Sequence, residues 1–147
     1  MIRLAGAARI PVVNTRTNLN HPCEVLADLT FVRVERGSIN DLRVAFAGES
    51  TNLCRTWFEA ATQPPIEVTQ ICPEGFEIDA AHLSQMREHA KGSLSHDLDQ
   101  SVRGADPMYT DCWPRRASEA ETRAGVVYKA KEYLVHAQNA VLSHLLK

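Results

Sequence analysis

The sequence predicts an open α/β sheet, mainly parallel, with helices on both faces. Three observations predict it. Short apolar runs such as Leu42-Arg43-Val44-Ala45-Phe46-Ala47 and Glu67-Val68-Thr69-Gln70-Ile71-Cys72 alternate with longer segments of helical spacing. Glycine or proline punctuates most of the junctions between them. The chain has 147 residues, 44% hydrophobic and 23% charged, which suits one domain with a real core. Strands that alternate with helices are joined by crossovers, and crossovers make parallel strands covered on both faces.

Taken in order, Ile10-Pro11-Val12-Val13-Asn14 reads as a short strand ending in polar residues. Asn20 is a candidate helix cap, and Pro22 suits a first helical turn, where a missing N–H does little harm. Val25, Leu26, Leu29 and Val32 then recur at helical spacing, so a helix should run to about Glu35, before Gly37. Residues 42–48 form a compact strand, residues 49–52 a strand-to-helix loop, and a helix from about Leu53 to Thr62 stops at Pro64-Pro65. The strand at residues 67–72 closes in the turn Pro73-Glu74-Gly75. Asp79 can cap a helix from about Ala80 to Lys91, with Gly92 as its stop. Residues 94–98 are a candidate short strand, and residues 99–104 a turn or two of helix. Pro107 opens a strand over Met108-Tyr109-Thr110-Asp111-Cys112-Trp113, a position proline tolerates. Residues 114–125 read as loop. From about Lys129 to Leu146 an amphipathic helix carries Leu134, Val135, Ala137, Val141, Leu142 and Leu145 on one stripe, expected to pack on the sheet or the first helix.

A net charge of −2 gives no general attraction to nucleic acid or to an anionic membrane. No apolar run reaches membrane-spanning length, and the first six residues are too short for a signal peptide. Cys23, Cys54, Cys72 and Cys112 are widely spaced with no CxxC, and each lies in or beside an apolar segment. Reduced, buried thiols of a cytoplasmic protein are the better reading, ahead of a zinc site.

In open α/β sheets ligands bind at the carboxyl ends of strands. That rule directs attention to residues 14–24, 49–52, 73–75 and 111–116. His21 stands at a predicted helix start, where the positive end of the helix favours a neutral imidazole able to donate to a carbonyl oxygen. Glu24 follows three positions later on nearly the same face; the pair also fits a capping box. Gly48 permits a tight turn, and Asn52 can cap the next helix or touch a ligand carboxylate. The loop is neither a GxGxxG fingerprint nor a Walker phosphate loop, which disfavours an unrelated nucleotide-binding domain. Asp111, beside Trp113 at a strand end, suits a ligand amino group or caps a following turn.

These residues resemble the ornithine carbamoyltransferases. Ala8-Arg9-Ile10-Pro11-Val12-Val13-Asn14 and Leu19-Asn20-His21-Pro22-Cys23-Glu24-Val25-Leu26-Ala27-Asp28-Leu29 are similar to that family's interdomain passage, with its His-Pro-Cys-Gln-type motif and Leu-Ala-Asp. Residues 42–52 resemble its strand and Gly-Asp-x-x-Asn-Asn loop, and Pro73-Glu74-Gly75-Phe76 its Pro-Glu-Gly-Tyr turn. Gly104-Ala105-Asp106-Pro107-Met108-Tyr109-Thr110-Asp111-Cys112-Trp113 is similar to Gly-Ala-Asp-Val-x-Tyr-Thr-Asp-x-Trp, and residues 126–142 to the closing helix.

The resemblance implies the second-substrate, amino-acid-binding domain of such an enzyme, shortened and single over residues 1–147, with residues 1–19 the remnant of the interdomain passage and the amino-terminal carbamoyl-phosphate domain absent. It implies transfer of the carbamoyl group of carbamoyl phosphate to ornithine or a related amine, giving citrulline and phosphate in arginine biosynthesis. It implies no metal and no organic cofactor, small-molecule substrates, and a trimer-based homo-oligomer. His21 would contact the carbamoyl oxygen, Glu24 would stand near the carbamoyl group in place of a glutamine, and Asn52 and Asp111 would hold the amino acid. The sequence departs from the pattern in several places. It has no Ser-x-Arg-Thr-Arg phosphate loop and no His-Cys-Leu-Pro motif. Leu53 replaces the second asparagine, Leu134 aligns with an arginine, and Arg115-Arg116-Ala117 lies near the Ser-Met-Gly position. The chain by itself is therefore expected to show no appreciable turnover, and the alternative is a degenerate or fragmentary domain that binds an amino acid without catalysis.

Overall fold

The computed structural model describes residues 2–62, 66–87 and 91–111. Four strands form one sheet: β1 (Leu42–Ala47), β2 (Ile66–Ile71), β3 (Lys91–Ser95) and β4 (Met108–Tyr109). Their order is β3-β2-β1-β4, and every pairing is parallel. The helices are α1 (Ile2–Ala7), α2 (Pro22–Arg36), α3 (Asn52–Ala60), α4 (Ala80–Arg87) and α5 (Leu98–Ser101). The predicted open parallel sheet is the observed one.

Alternation along the strands separates two faces. Leu42, Val44 and Phe46 of β1 and Ile66 and Val68 of β2 join Val25 and Val32 of α2, Trp57 and Phe58 of α3 and Leu83 of α4 in one buried cluster. On the other face the paired row is Arg43, Glu67 and Lys91, where Glu67 meets Lys91 at 3.2 Å and Arg43 at 3.8 Å. Ser101 of α5 and the following turn at Gly104 lie over this polar face beside Arg43 and Thr69. Among the described residues no helix is long and apolar enough to cross a membrane.

Several boundaries differ from the sequence reading. Residues 10–14 form no strand; Ile10 is exposed, and this stretch joins no ladder in the described sheet. A strand needs a hydrogen-bonding neighbour as well as an apolar pattern. Gly92, expected to stop a helix, lies inside β3, so that strand starts at Lys91 and ends at Ser95 instead of spanning residues 94–98. The reason is tertiary: a Cβ on Gly92 would come within 2.8 Å of the Phe58 ring, so glycine is what lets β3 close against α3. Strand β4 is described over two residues, but the backbone pairing extends before it: Asp106 N donates to Arg43 O at 2.8 Å, and Pro107 O accepts from Ala45 N at 3.1 Å. Cys112, Trp113, Arg115, Arg116, Leu134 and the closing helix expected from Lys129 lie outside the described residues.

Candidate functional site

All four strands are parallel, so their carboxyl ends lie on one edge. Strand β1 runs into Gly48 and the start of α3, β2 into Cys72 and the Pro73-Glu74-Gly75 turn, β3 into His96, and β4 into Thr110 and Asp111. Gly48 takes φ 138°, a conformation that side chains resist, and its N–H donates to Ile71 O at 2.9 Å. The backbone therefore turns off the sheet directly at the end of β1. Thr51 caps α3, its hydroxyl accepting from Cys54 N at 3.2 Å. The cap is thus Thr51 and not Asn52, which frees the Asn52 side chain for another use. Its Nδ2 donates to Thr17 O at 2.6 Å.

That bond draws the segment preceding α2 onto the same edge. His21 N donates to Thr56 Oγ1 at 2.8 Å, and the same hydroxyl donates to Asn52 O at 2.7 Å. Thr56 is buried and sits one turn into α3, so a single hydroxyl ties the start of α2 to the start of α3. Upstream, Asn20 Oδ1 accepts from Asn14 Nδ2 at 2.7 Å and from Thr17 Oγ1 at 2.9 Å. Asn20 was expected to cap α2. The cap position is His21, whose side chain makes no capping bond, because the Asn20 oxygen is already engaged by this turn.

His21 Nε2 lies 2.8 Å from Glu24 Oε2, with both side chains largely buried. A carboxylate only accepts, so Nε2 carries a proton and the imidazole is held in that tautomer or as the imidazolium. Nδ1 of the same ring is buried with no hydrogen-bond partner among the described residues. A carboxylate–imidazole pair of this kind can orient a carbonyl only through a proton on Nδ1, which makes Glu24 chemically different from a neutral amide at that position.

Asp111 is exposed two residues past the end of β4, the strand next to β1, and its charge is felt at Cys54 in the first turn of α3. Burial pushes the Cys54 thiol well above its ordinary range, with Cys72 and Asp111 adding to the effect and Arg55 opposing it. Burial also raises Cys72, to about 11, with help from Glu77. Both are protonated, unreactive thiols at neutral pH. Glu77 goes the other way: backbone N–H groups, its own and that of Gly75, hold its carboxyl below the usual value, with His96 nearby as a smaller influence. His21, Asn52 and Asp111 therefore share the carboxyl edge, with Glu24 joined to His21. The described residues contain no cluster of three histidines, cysteines or carboxylates that could hold a metal ion.

Residues 40–138 match the family model described as aspartate/ornithine carbamoyltransferase, Asp/Orn binding domain. The chain belongs to this carbamoyltransferase family. An ornithine carbamoyltransferase of Syntrophus aciditrophicus is 38% identical over 122 residues, 82% of this chain and 40% of that protein. One from Chlorobaculum tepidum is 40% identical over 121 residues, 80% of this chain and 36% of that protein. The ornithine carbamoyltransferase structure from Burkholderia thailandensis aligns with a TM-score of 0.84 at 27% identity, over 99% of this chain and 61% of that one. The Thermus thermophilus structure gives 0.81 at 25% identity, over 99% and 62%. The chain thus spans about 40% of the length of these curated carbamoyltransferases.

Two residues of this edge escaped the sequence reading. Thr56 looked like an ordinary helix position. Gln70 is fully buried, and its side chain bridges the loops that follow β1 and β2. A signal for Gln70 was present: Ile66, Val68 and Gln70 alternate along β2, so Gln70 is a lone amide on the apolar face of a strand.

Proposed function

We propose that this chain is the amino-acid-binding half of an ornithine-type carbamoyltransferase, serving the reaction of carbamoyl phosphate with L-ornithine to give L-citrulline and phosphate. The observation that carries this reading is the meeting of three separate segments at one carboxyl edge: residues 17–24, the start of α3, and Thr110-Asp111. In this reading Asn52 and Asp111 face the polar groups of the amino acid, and His21 with Glu24 faces the carbamoyl group. The chemistry is attack of a neutral amine nitrogen on the carbamoyl carbon, with phosphate leaving. Catalysis then rests on alignment and on stabilising negative charge on oxygen. The sequence has no Ser-x-Arg-Thr-Arg run, so in this reading the phosphate is gripped by arginines of a separate carbamoyl-phosphate domain. Cys23, Cys54 and Cys72 are buried and free, which supports a reducing, cytoplasmic setting.

The decisive assay is citrulline formation by the chain alone and with an added carbamoyl-phosphate domain from a related enzyme. The expected outcome is no appreciable turnover alone and turnover on complementation, lost in His21→Ala. The same mixture with Glu24→Gln is expected to turn over faster, because the amide oxygen can still accept from His21 Nε2 while the negative charge beside the developing oxyanion is removed. A specific observation favours a second reading, binding without catalysis: Glu24 already occupies His21 Nε2. Ornithine binding with no turnover in any mixture, Glu24→Gln included, would establish that second reading and overturn the first.

A further inference from the structure

Gln70 lies at the end of β2 with no exposed surface, on the same strand face as Ile66 and Val68. Its Nε2 donates to Gly48 O at 3.0 Å and to Phe76 O at 3.0 Å, and its Oε1 accepts from Ile78 N at 2.8 Å. The orientation of the amide follows from its partners. Two carbonyls can only accept and one N–H can only donate, so the reversed amide would set oxygen against two oxygens. We propose that Gln70 is the positioning residue of the ligand cleft, a cross-brace that fixes the loop carrying Asn52 relative to the loop at residues 73–78. This rests on the reading above that the carboxyl edge holds an amino acid.

The bonds reach both loops just past the last ladder bond between β1 and β2, Gly48 N to Ile71 O at 2.9 Å. Gly48 is the hinge by which the chain leaves β1, and Ile78 ends the segment that leaves β2. Phe76 O also accepts from Ser50 N at 3.0 Å, so the two loops touch directly once, and the Gln70 amide anchors that contact from beneath. Gly48 N and Cys72 N still donate to Ile71 O and Ser95 O; beyond them both loops leave the ladder, and the Gly75 backbone at φ 88° bends the second one sharply. A buried amide is a demanding device here, because each lost bond leaves a buried polar group unmatched. An apolar residue would satisfy the core equally well, but it would leave the Gly48 carbonyl and the Ile78 N–H without this partner. Glutamate keeps only the acceptor and would place a carboxylate oxygen against two carbonyls. The function of the side chain is therefore geometric: it does not face the ligand, and it determines where Asn52 stands.

The test compares Gln70→Met with Val68→Ala in the full chain. Methionine fills similar volume without hydrogen bonds, and Val68→Ala removes packing from the same face of the same strand. Amide exchange is followed by NMR, and L-ornithine binding by titration. The expected result is that Gln70→Met loses exchange protection at Ser50 and Ile78 and binds ornithine about 10-fold more weakly, the equivalent of one hydrogen bond. Val68→Ala should lower stability while both loops and the affinity stay as they were. Unchanged protection of Ser50 and Ile78 in Gln70→Met, or equal loss of affinity in both variants, overturns the proposal. If the unaltered chain does not bind ornithine, the amino-acid reading fails, while the exchange data still decide whether Gln70 braces the loops. Should Gln70→Met not fold, the unaltered protein remains informative: the Gln70 side-chain amide protons must exchange as slowly as the Ile78 N–H, and fast exchange there refutes the brace.

Discussion

Two regions bring candidate residues to the same edge of this sheet by different means. The loops after β1 and β2 are fixed from beneath by one fully buried amide, that of Gln70. The segment before α2 is fixed from the side by a partly buried chain of small polar groups running from Asn14 through Asn20 and Thr17 to Asn52 and Thr56. The first region is anchored in the core, and its geometry stands or falls with the fold. The second is anchored on the first helical turns of α3 and can loosen while the sheet survives. Residues at this open edge are thus placed by polar braces, because backbone leaving a strand has lost its ladder partners and must find others.

The largest effect should break both regions together. Trp57 is fully buried in α3 and its ring lies 4.7 Å from that of Tyr109 in β4. Trp57→Ala is expected to cost about 3–5 kcal/mol in chemical denaturation, the usual range for losing a large aromatic core residue. Because Tyr109 precedes Asp111 by two positions, this variant should also disturb the Asp111 backbone signals; a cost below about 1 kcal/mol would show that β4 is held by something other than this stack.

A smaller and more selective effect is expected at Thr56. Thr56→Val keeps the shape and removes the hydroxyl that serves His21 N and Asn52 O. The expected cost is about 1–3 kcal/mol, since a partly buried N–H loses its acceptor. Amide exchange should rise at His21 and in the first turn of α2, while Ser50 and Ile78 remain protected. Loss of protection in both regions would show that the two braces act as one.

The smallest effect is a pH response confined to the β2 loop. Glu77 accepts from Gly75 N at 2.8 Å, and backbone N–H groups lower its carboxyl from the ordinary 4.5. A carboxylate with a lowered folded-state value stabilises fully above its unfolded value, and that contribution disappears as pH falls through the folded value. Exchange protection at Gly75 should therefore be constant from pH 7 to about 5 and decline at more acid pH. Glu77→Gln should abolish this acid dependence, and the Asn14-to-Thr56 network should show none of it; a decline in both regions at the same pH would point to global acid unfolding.

Local pattern by itself determined the parallel α/β architecture of this chain. The apolar runs at β1 and β2, the periodic face of α2 and the Pro and Gly stops were enough, because strand and helix periods are properties of near neighbours. Order-preserving motifs likewise revealed the carbamoyltransferase ancestry. Tertiary structure alone decided which polar atoms meet. His21 N and Thr56 are 35 positions apart, as are Thr17 and Asn52, and Gln70 reaches Gly48 across 22. It also decided that residues 10–14 form no strand and that Gly92 belongs to one, since the first depends on a missing ladder neighbour and the second on the Phe58 ring. A hydrogen bond between distant residues is set by the position of the whole backbone, to within tenths of an ångström, and no local period encodes that distance.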